Sequence, residues 1–234
     1  MSGHTQTLQA TRWQPALVSR SPPSSNAGLD LFKEIGTVMP VLRDQEIYRQ
    51  DDPADYYYQV IGGSVRTVKL MADGRRQVSE FLLPGDLFGF DALDRHDFAA
   101  EALEDSLVKR YPRRVVEALA QRSVALSHKL RHLATAKLRQ AHERMLLLGC
   151  MTASERIATF LLQMSDRAPA SAKAWIVLAM SRRDIADYLG LTIETVSRSL
   201  TTLRLDGTIG MLKKTRIEIR DRAALESLAR ESPH

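Results

Sequence analysis

Glu194, Ser197 and Arg198 are the residues whose types and spacing carry the most chemistry in this chain. An Arg guanidinium forks onto the two major-groove acceptors of guanine. A carboxylate accepts from the exocyclic amine of cytosine, and a serine is small enough to sit against a thymine methyl or bond a base edge. Glu194 and Arg198 stand four apart, so a helix puts them on one face. A solvated intrahelical ion pair is the bland alternative for that spacing and contributes only tenths of a kcal/mol. The surroundings favour base reading.

The elements that must position these residues are legible between Ser181 and Gly207. Ile185, Ala186 and Leu189 give a first helical pattern its apolar stripe. Val196, Leu200 and Leu203 give one to a second. Gly190 sits where the intervening turn needs a permissive backbone, and Thr192 can cap the second helix. Helix, glycine turn and helix make a helix-turn-helix, whose second helix enters a major groove by its N-terminal turns. Thr192, Thr195 and Arg182 flank that end and are the expected phosphate contacts. A two-stranded wing is expected at 209–212 and 216–220, turning at Lys213 and Lys214, which suit backbone phosphates.

The 234 residues carry a formal net charge of +5 and are 44% apolar. That charge is unevenly spread: −6 over residues 1–108, +8 over 109–150 and +3 over 151–234. The acidic N-terminal part is therefore a poor nucleic-acid surface, and the rest can supply phosphate contacts. No run of about 18 apolar residues exists to span a membrane, and the N-terminus lacks a signal-peptide core. The expected compartment is the cytoplasm, where the single Cys150 fits a reducing environment.

Residues 1–28 are rich in Ser, Thr, Gln and Pro, and a disordered extension is expected there, with Trp13 its one aromatic oddity. Residues 29–111 read as a small antiparallel barrel or jelly roll, with runs at 56–61, 64–71, 76–83 and 99–111 punctuated by Asp52-Pro53, Gly62-Gly63, Asp73-Gly74 and Pro84-Gly85-Asp86. A metal-dependent barrel enzyme would need clustered ligands, and His96 is the only histidine in the segment. No nucleophile–base set or phosphate-cradling loop appears, so an enzyme is not expected. Residues 112–148 read as a short helix to about 120 and a long one over 123–148. Leu119, Leu126, Leu130 and Leu133 form a seam expected to join a homodimer, against the alternative of packing on the chain's own barrel. His128 and His132 lie four apart without a third ligand nearby. Gly149 is expected to end the long helix at a hinge. Residues 149–234 read as a DNA-binding domain: Thr152 and Glu155 form a capping box for a helix to Arg167, a loop covers 168–174, a short strand covers 175–179, and a last helix follows the wing over 222–230.

A turn-rich barrel, a long helix and a winged helix-turn-helix in that order resemble the CRP/FNR superfamily of bacterial transcription regulators over about residues 29–230. The motifs carrying the resemblance are PGDLFG at 84–89, TASERIATFLL and DIADYLGLTIETVSRSL. Within it, E-T-V-S-R at 194–198 resembles the FNR and FixK branch, whose matching Glu, Ser and Arg read a TTGAT…ATCAA palindrome. Ile193 stands where the cyclic-AMP receptor branch carries another base-reading Arg. The resemblance implies an α+β fold with a cyclic-nucleotide-binding-like barrel, a homodimer on double-stranded DNA, and activation of genes for oxygen-limited metabolism. It also implies a contact with RNA polymerase through the barrel loop Asp73, Arg75 and Arg76.

Three departures shape the expected chemistry. One cysteine cannot ligate the iron–sulfur cluster of FNR. The cyclic-nucleotide branch holds its phosphate through G-E-L and a later Arg-Ser, whereas Gly89 is followed by Phe90 and Asp91, and Asp94, Asp97 and Glu101 would repel a phosphate. A haem would have only His96. The expected cofactor is therefore none, and no metal, as in FixK. Cys150 reads as a half-buried helix residue or as an oxidation-sensitive thiol whose pKa Arg144 and Arg156 would lower. The alternative function is a sensor whose barrel takes an unidentified effector, or a haem or redox signal, before DNA binding.

Overall fold

The computed structural model describes residues 35–91, 94–168, 175–213 and 215–230. The extension expected over 1–28, most of the 168–174 loop and Lys214 lie outside them.

Alternation of small β-branched and aromatic residues with polar ones builds the first half. Eight strands form two four-stranded sheets: β1 (Thr37–Val41), β8 (Ser106–Pro112), β3 (Tyr56–Gly62) and β6 (Leu87–Phe88) in one, and β2 (Glu46–Tyr48), β7 (Ala99–Ala102), β4 (Val65–Leu70) and β5 (Arg76–Leu82) in the other. Their inward faces bury Val41, Tyr58, Val60, Val65, Leu82, Phe88 and Val108. The jelly roll expected from the turn spacing is the fold. Thr67 and Val68 of β4 pair with Glu80 and Val78, so Ser79 of β5 is an extra residue. This bulge brings Val78 and Phe81 to one face, where Val68 packs with them, the way an extra residue re-aims a strand. The run at 99–111 is two strands rather than one. It bends at Leu103–Asp105, where Leu103 N donates to Ser64 O and Asp105 Oδ1 accepts from Arg43 N. Gly63 makes the adjoining turn possible: its φ is +77°, and a Cβ there would lie 2.3 Å from Ser106 Oγ.

Helix α1 (Arg113–Arg122) leads into α2 (Val124–Cys150), capped by the Ser123 hydroxyl. At 27 residues α2 is about 40 Å long. It does not stop at Gly149 as expected. The glycine is helical and exposed, nothing crowds it, and the helix continues to Cys150 before turning at Met151. Arg156 holds that joint with one guanidinium. Its Nε donates to Met151 O, Nη2 to Leu148 O and Nη1 to Leu189 O, each at 2.9 Å. These are carbonyls that helix ends otherwise leave without partners.

The C-terminal part comprises α3 (Ala153–Arg167), β9 (Ile176–Val177), α4 (Arg182–Leu189), α5 (Ile193–Leu205), β10 (Ile209–Lys213), β11 (Arg216–Ile219) and α6 (Arg222–Leu228). The Thr152–Glu155 capping box makes both of its bonds. The strands form a β10-β11-β9 sheet, so the wing gains a third strand from the short run before α4. Val68, Val78, Phe81 and Leu103 of the barrel share one apolar core with Ile157, Phe160, Leu161, Ile185 and Leu189. Tyr188 sits at the junction, with ring centroids 4.8 Å from Phe81 and 5.7 Å from Phe160.

Candidate nucleic-acid interface

The helix-turn-helix folds as its residues dictate. Ser181 caps α4 by accepting from Asp184 N at 3.1 Å, and Asp184 returns the bond to Ser181 N at 2.9 Å. Gly190 ends α4 at φ +62°, ψ 40°, the left-handed conformation a glycine adopts without penalty. Leu191 N then closes back onto Ala186 O at 3.0 Å. Thr192 caps α5, its hydroxyl accepting from Thr195 N at 3.1 Å. Val196, Leu200 and Leu203 bury the inner face of α5.

Ile193, Glu194, Ser197 and Arg198 project from the opposite side, all exposed. Neither Glu194 nor Arg198 pairs with any described residue, so the Glu–Arg pair that four-residue spacing permits is not formed. Both reach solvent at the N-terminal half of a helix whose positive dipole end faces the same way. This arrangement can present one guanidinium fork, one carboxylate and one hydroxyl to a groove floor.

The flanking positions divide. Thr192 and Thr195 lie beside this end, their hydroxyls 3.0 Å apart. Arg182 is half-buried rather than an open surface cation, and burial pushes its guanidinium pKa down. Arg183, its neighbour, is exposed and was not singled out from sequence. β10 reaches Lys213 opposite Arg216, while Lys214 falls outside the described residues.

Other expected sites are corrected by their positions. Leu126 is 1% exposed and packs with Tyr111 and Val116, with Leu119 and Leu130 partly buried against the same cluster. The leucine seam thus covers the chain's own barrel and α1. Leu133 is half-buried. What α2 leaves open is a different stripe: Val124, His128, Arg131, Thr135, Leu138, His142 and Met145, spaced four and three alternately and all exposed. Arg76 is not at an exposed turn. It is half-buried between the barrel and α4, whereas Asp73 and Arg75 stay at the tip and pair with each other at 2.7 Å. Cys150 is exposed, not half-buried. Arg144 and Arg156 do not serve it: Arg144 bonds Val78 O and Tyr188 O and stacks 3.4 Å over the Tyr188 ring, and Arg156 holds the joint described above.

The barrel interior bears on any effector. A cavity of about 140 Å³ is lined by Tyr48, Thr67, Glu80, Phe88, Asp91 and Lys137 among others. Small-molecule sites begin at roughly 300 Å³. Asp91 Oδ2 accepts from Asp97 N and Phe98 N, and Oδ1 lies 3.2 Å from His96 Nδ1. Burial works to raise the Asp91 carboxyl, and these bonds hold it below the ordinary range. His96 is buried and stacked on Tyr48 at 3.7 Å. The cavity is thus lined by an anion with its own hydrogen bonds, a lining that does not suit the phosphate of a cyclic nucleotide. Among the described residues no three His, Cys, Asp or Glu side chains converge as a metal requires.

Two family models match: a cyclic nucleotide-binding domain over 39–123 and a Crp-like helix-turn-helix domain over 155–228. The nitrogen fixation regulation protein FixK of Azorhizobium caulinodans is 42% identical over 94% of this chain and 90% of that one. The chain belongs to the CRP/FNR family. The transcriptional activator protein anr of Pseudomonas aeruginosa is 34% identical over 81% of this chain and 79% of its own. The solved structure of FixK2 from Bradyrhizobium japonicum superposes with a TM-score of 0.81 at 44% identity, covering 85% of this chain and all of that one. This CRP/FNR-family chain is therefore a DNA-binding transcription regulator and not an enzyme. No helix among its described residues is long and apolar enough to cross a membrane.

Proposed function

We propose that this chain is a FixK-type activator that binds, as a homodimer in the cytoplasm, a TTGAT…ATCAA palindrome controlling genes of oxygen-limited metabolism. The observation that carries the reading is the unpaired Glu194–Ser197–Arg198 face of α5. Arg198 takes the guanine of each half-site, Glu194 the amine opposite, and Ile193 leaves the position before them without an extra cation. Arg183, Thr192, Thr195 and the wing lysines Lys213 and Lys214 meet backbone phosphates.

The dimer forms along the exposed α2 stripe, because a four-three repeat of open positions is what a two-stranded seam needs. Val124, Leu138 and Met145 supply its apolar layers. The activator requires no cluster, haem or cyclic nucleotide, and the Asp73–Arg75 tip meets RNA polymerase. A second reading has one observation in its favour: the Tyr48 hydroxyl is buried without a partner beside the barrel cavity, which suits a small hydrogen-bonding effector. Binding of the palindrome by colourless protein without additive supports the first reading. A requirement for an added small molecule supports the second.

The test of base reading is a titration of wild type and Arg198→Ala against sites varied only at the guanine. The variant loses about 1–3 kcal/mol on the cognate base and flattens the ranking there. Identical rankings for the two proteins would remove Arg198 as the reader.

A further inference from the structure

The barrel grips the first helix of the helix-turn-helix by its cap. Arg66 on β4 donates from Nη1 to Asp184 Oδ1 at 3.0 Å, and Arg76 on β5 donates to the same oxygen from Nη2. The other oxygen, Oδ2, takes Ser181 N and Ser181 Oγ at 2.9 and 2.6 Å. Both oxygens of that carboxylate are therefore bonded, and its side chain is only 4% exposed. One turn further along α4, Asp187 Oδ2 receives Arg76 Nε at 2.8 Å, while Gln77 Nε2 donates to Asp187 O. Arg66 is itself held by Glu101 at 2.6 Å. On the far side of Tyr188, Arg144 of α2 ties that residue's carbonyl to Val78 O.

An apolar core alone would not fix an angle. Burial is non-directional and tolerates sliding or rotation. A guanidinium bonded to two carboxylates three residues apart on one helix face does fix it, because fork geometry adds direction to attraction. α5 is joined to α4 through a single left-handed glycine and a closed turn, so the angle of α4 is the angle of the recognition helix.

We propose that the Arg66–Asp184–Arg76–Asp187 clamp is a positioning device that sets the angle of the recognition helix against α2, and so the separation between half-sites that the protein accepts. The selection of separation rests on the homodimer reading given above; the fixed angle does not. In a dimer joined along α2, a swing of α4 moves two recognition helices relative to one another. Half-sites on one DNA face are about 34 Å apart, and one base pair adds about 3.4 Å and a tenth of a turn.

Two measurements on the full chain test it. The first compares affinities for palindromes whose central spacer is native, one base pair shorter or one longer, with a half-site duplex as control. Wild type should lose at least tenfold on either altered spacer. Arg76→Ala and Asp187→Asn should bind the native spacer several-fold more weakly, reduce the tenfold penalty to twofold or less, and bind the half-site as wild type does. Because both partners act in one clamp, Arg76→Ala/Asp187→Asn should be no worse than Arg76→Ala. Asp187→Asn preserves size and cap, so it answers if the Arg76 variant melts early. Variants that keep the wild-type penalty would overturn the proposal.

The second measurement reads the angle directly and needs no dimer. Spin labels at Leu107 on the barrel and Leu205 on α5, both exposed, are placed in a Cys150→Ser chain diluted with unlabelled protein. The distance distribution should be narrow with the clamp intact and broaden in Arg76→Ala. An equally narrow distribution in the variant would overturn the proposal. Should wild type bind the palindrome no better than the half-site, the homodimer reading fails, and the distance measurement alone decides the clamp.

Discussion

Leucines on one helix can have opposite jobs, and α2 shows it residue by residue. Leu126 fills the gap between Tyr111 and Val116, so Leu126→Ala should cost about 2–5 kcal/mol in denaturant unfolding. Leu138 is 58% exposed and Met145 64% exposed. Replacing both by Glu should leave the melting of a single chain unchanged and shift sedimentation from dimer to monomer. Loss of fold in the second pair, or dimers that survive it, would reassign the stripe. Asp184 gives a pH signature. Burial acts to raise its carboxyl, and the bonds from Ser181, Arg66 and Arg76 more than offset that, leaving its pKa below the ordinary value. A depressed native pKa contributes stability that is complete above the ordinary carboxylate range and is lost as pH falls through the native value. The clamp should therefore hold across neutral pH and weaken only below about pH 4. Asp184→Asn should flatten the acid limb of a stability–pH curve.

Elements differ in how much of them sequence can announce. Ser181, Gly190, Thr192 and the Val196–Leu200–Leu203 stripe lie within one short stretch, so local chemistry alone specified the helix-turn-helix to within a residue or two. Thr152 and Glu155 announced α3 in the same way, and Thr152→Ala should cost about 1 kcal/mol of stability. The barrel was legible as a class, because turn residues recur between β-rich runs, yet the bend that divides β7 from β8 carries no glycine or proline. Gly149 misled because glycine weakens a helix without ending it when neighbouring turns are held, and Arg156 holds the next carbonyls. The leucine seam misled for another reason: apolar periodicity points to Leu126 and its neighbours, which the chain's own barrel covers, while the exposed stripe proposed above for the dimer is polar at His128, Arg131, Thr135 and His142. Arg76 looked like part of a solvated hairpin tip because its partners, Asp184 and Asp187, lie more than a hundred residues away, and no local pattern records a contact of that range.

At the scale of the whole molecule, the two family-model domains are joined by one core. Val68, Val78, Phe81 and Leu103 belong to the barrel by sequence and to the DNA-binding half by packing. Multidomain chains ordinarily melt in more than one step. Here neither half can lose its structure without uncovering the Phe81–Tyr188–Phe160 contacts of the other. Scanning calorimetry of the full chain should thus show one endotherm whose calorimetric and van't Hoff enthalpies agree, and native-state amide exchange should find the slowest protons of α3 and of β5 opening with the same free energy. Two resolved endotherms would mean that the core parts along its seam. The C-terminal half expressed from Met151 onward would carry an uncovered aromatic face, so it should aggregate or stay molten where the whole chain is well behaved. In proteolysis the intact protein should resist cleavage at the Met151–Thr152 joint, since a protease must wait for global rather than local opening. The same seam that lets the barrel steer the reading head therefore makes the regulator a single thermodynamic object, one that is degraded as a whole or not at all.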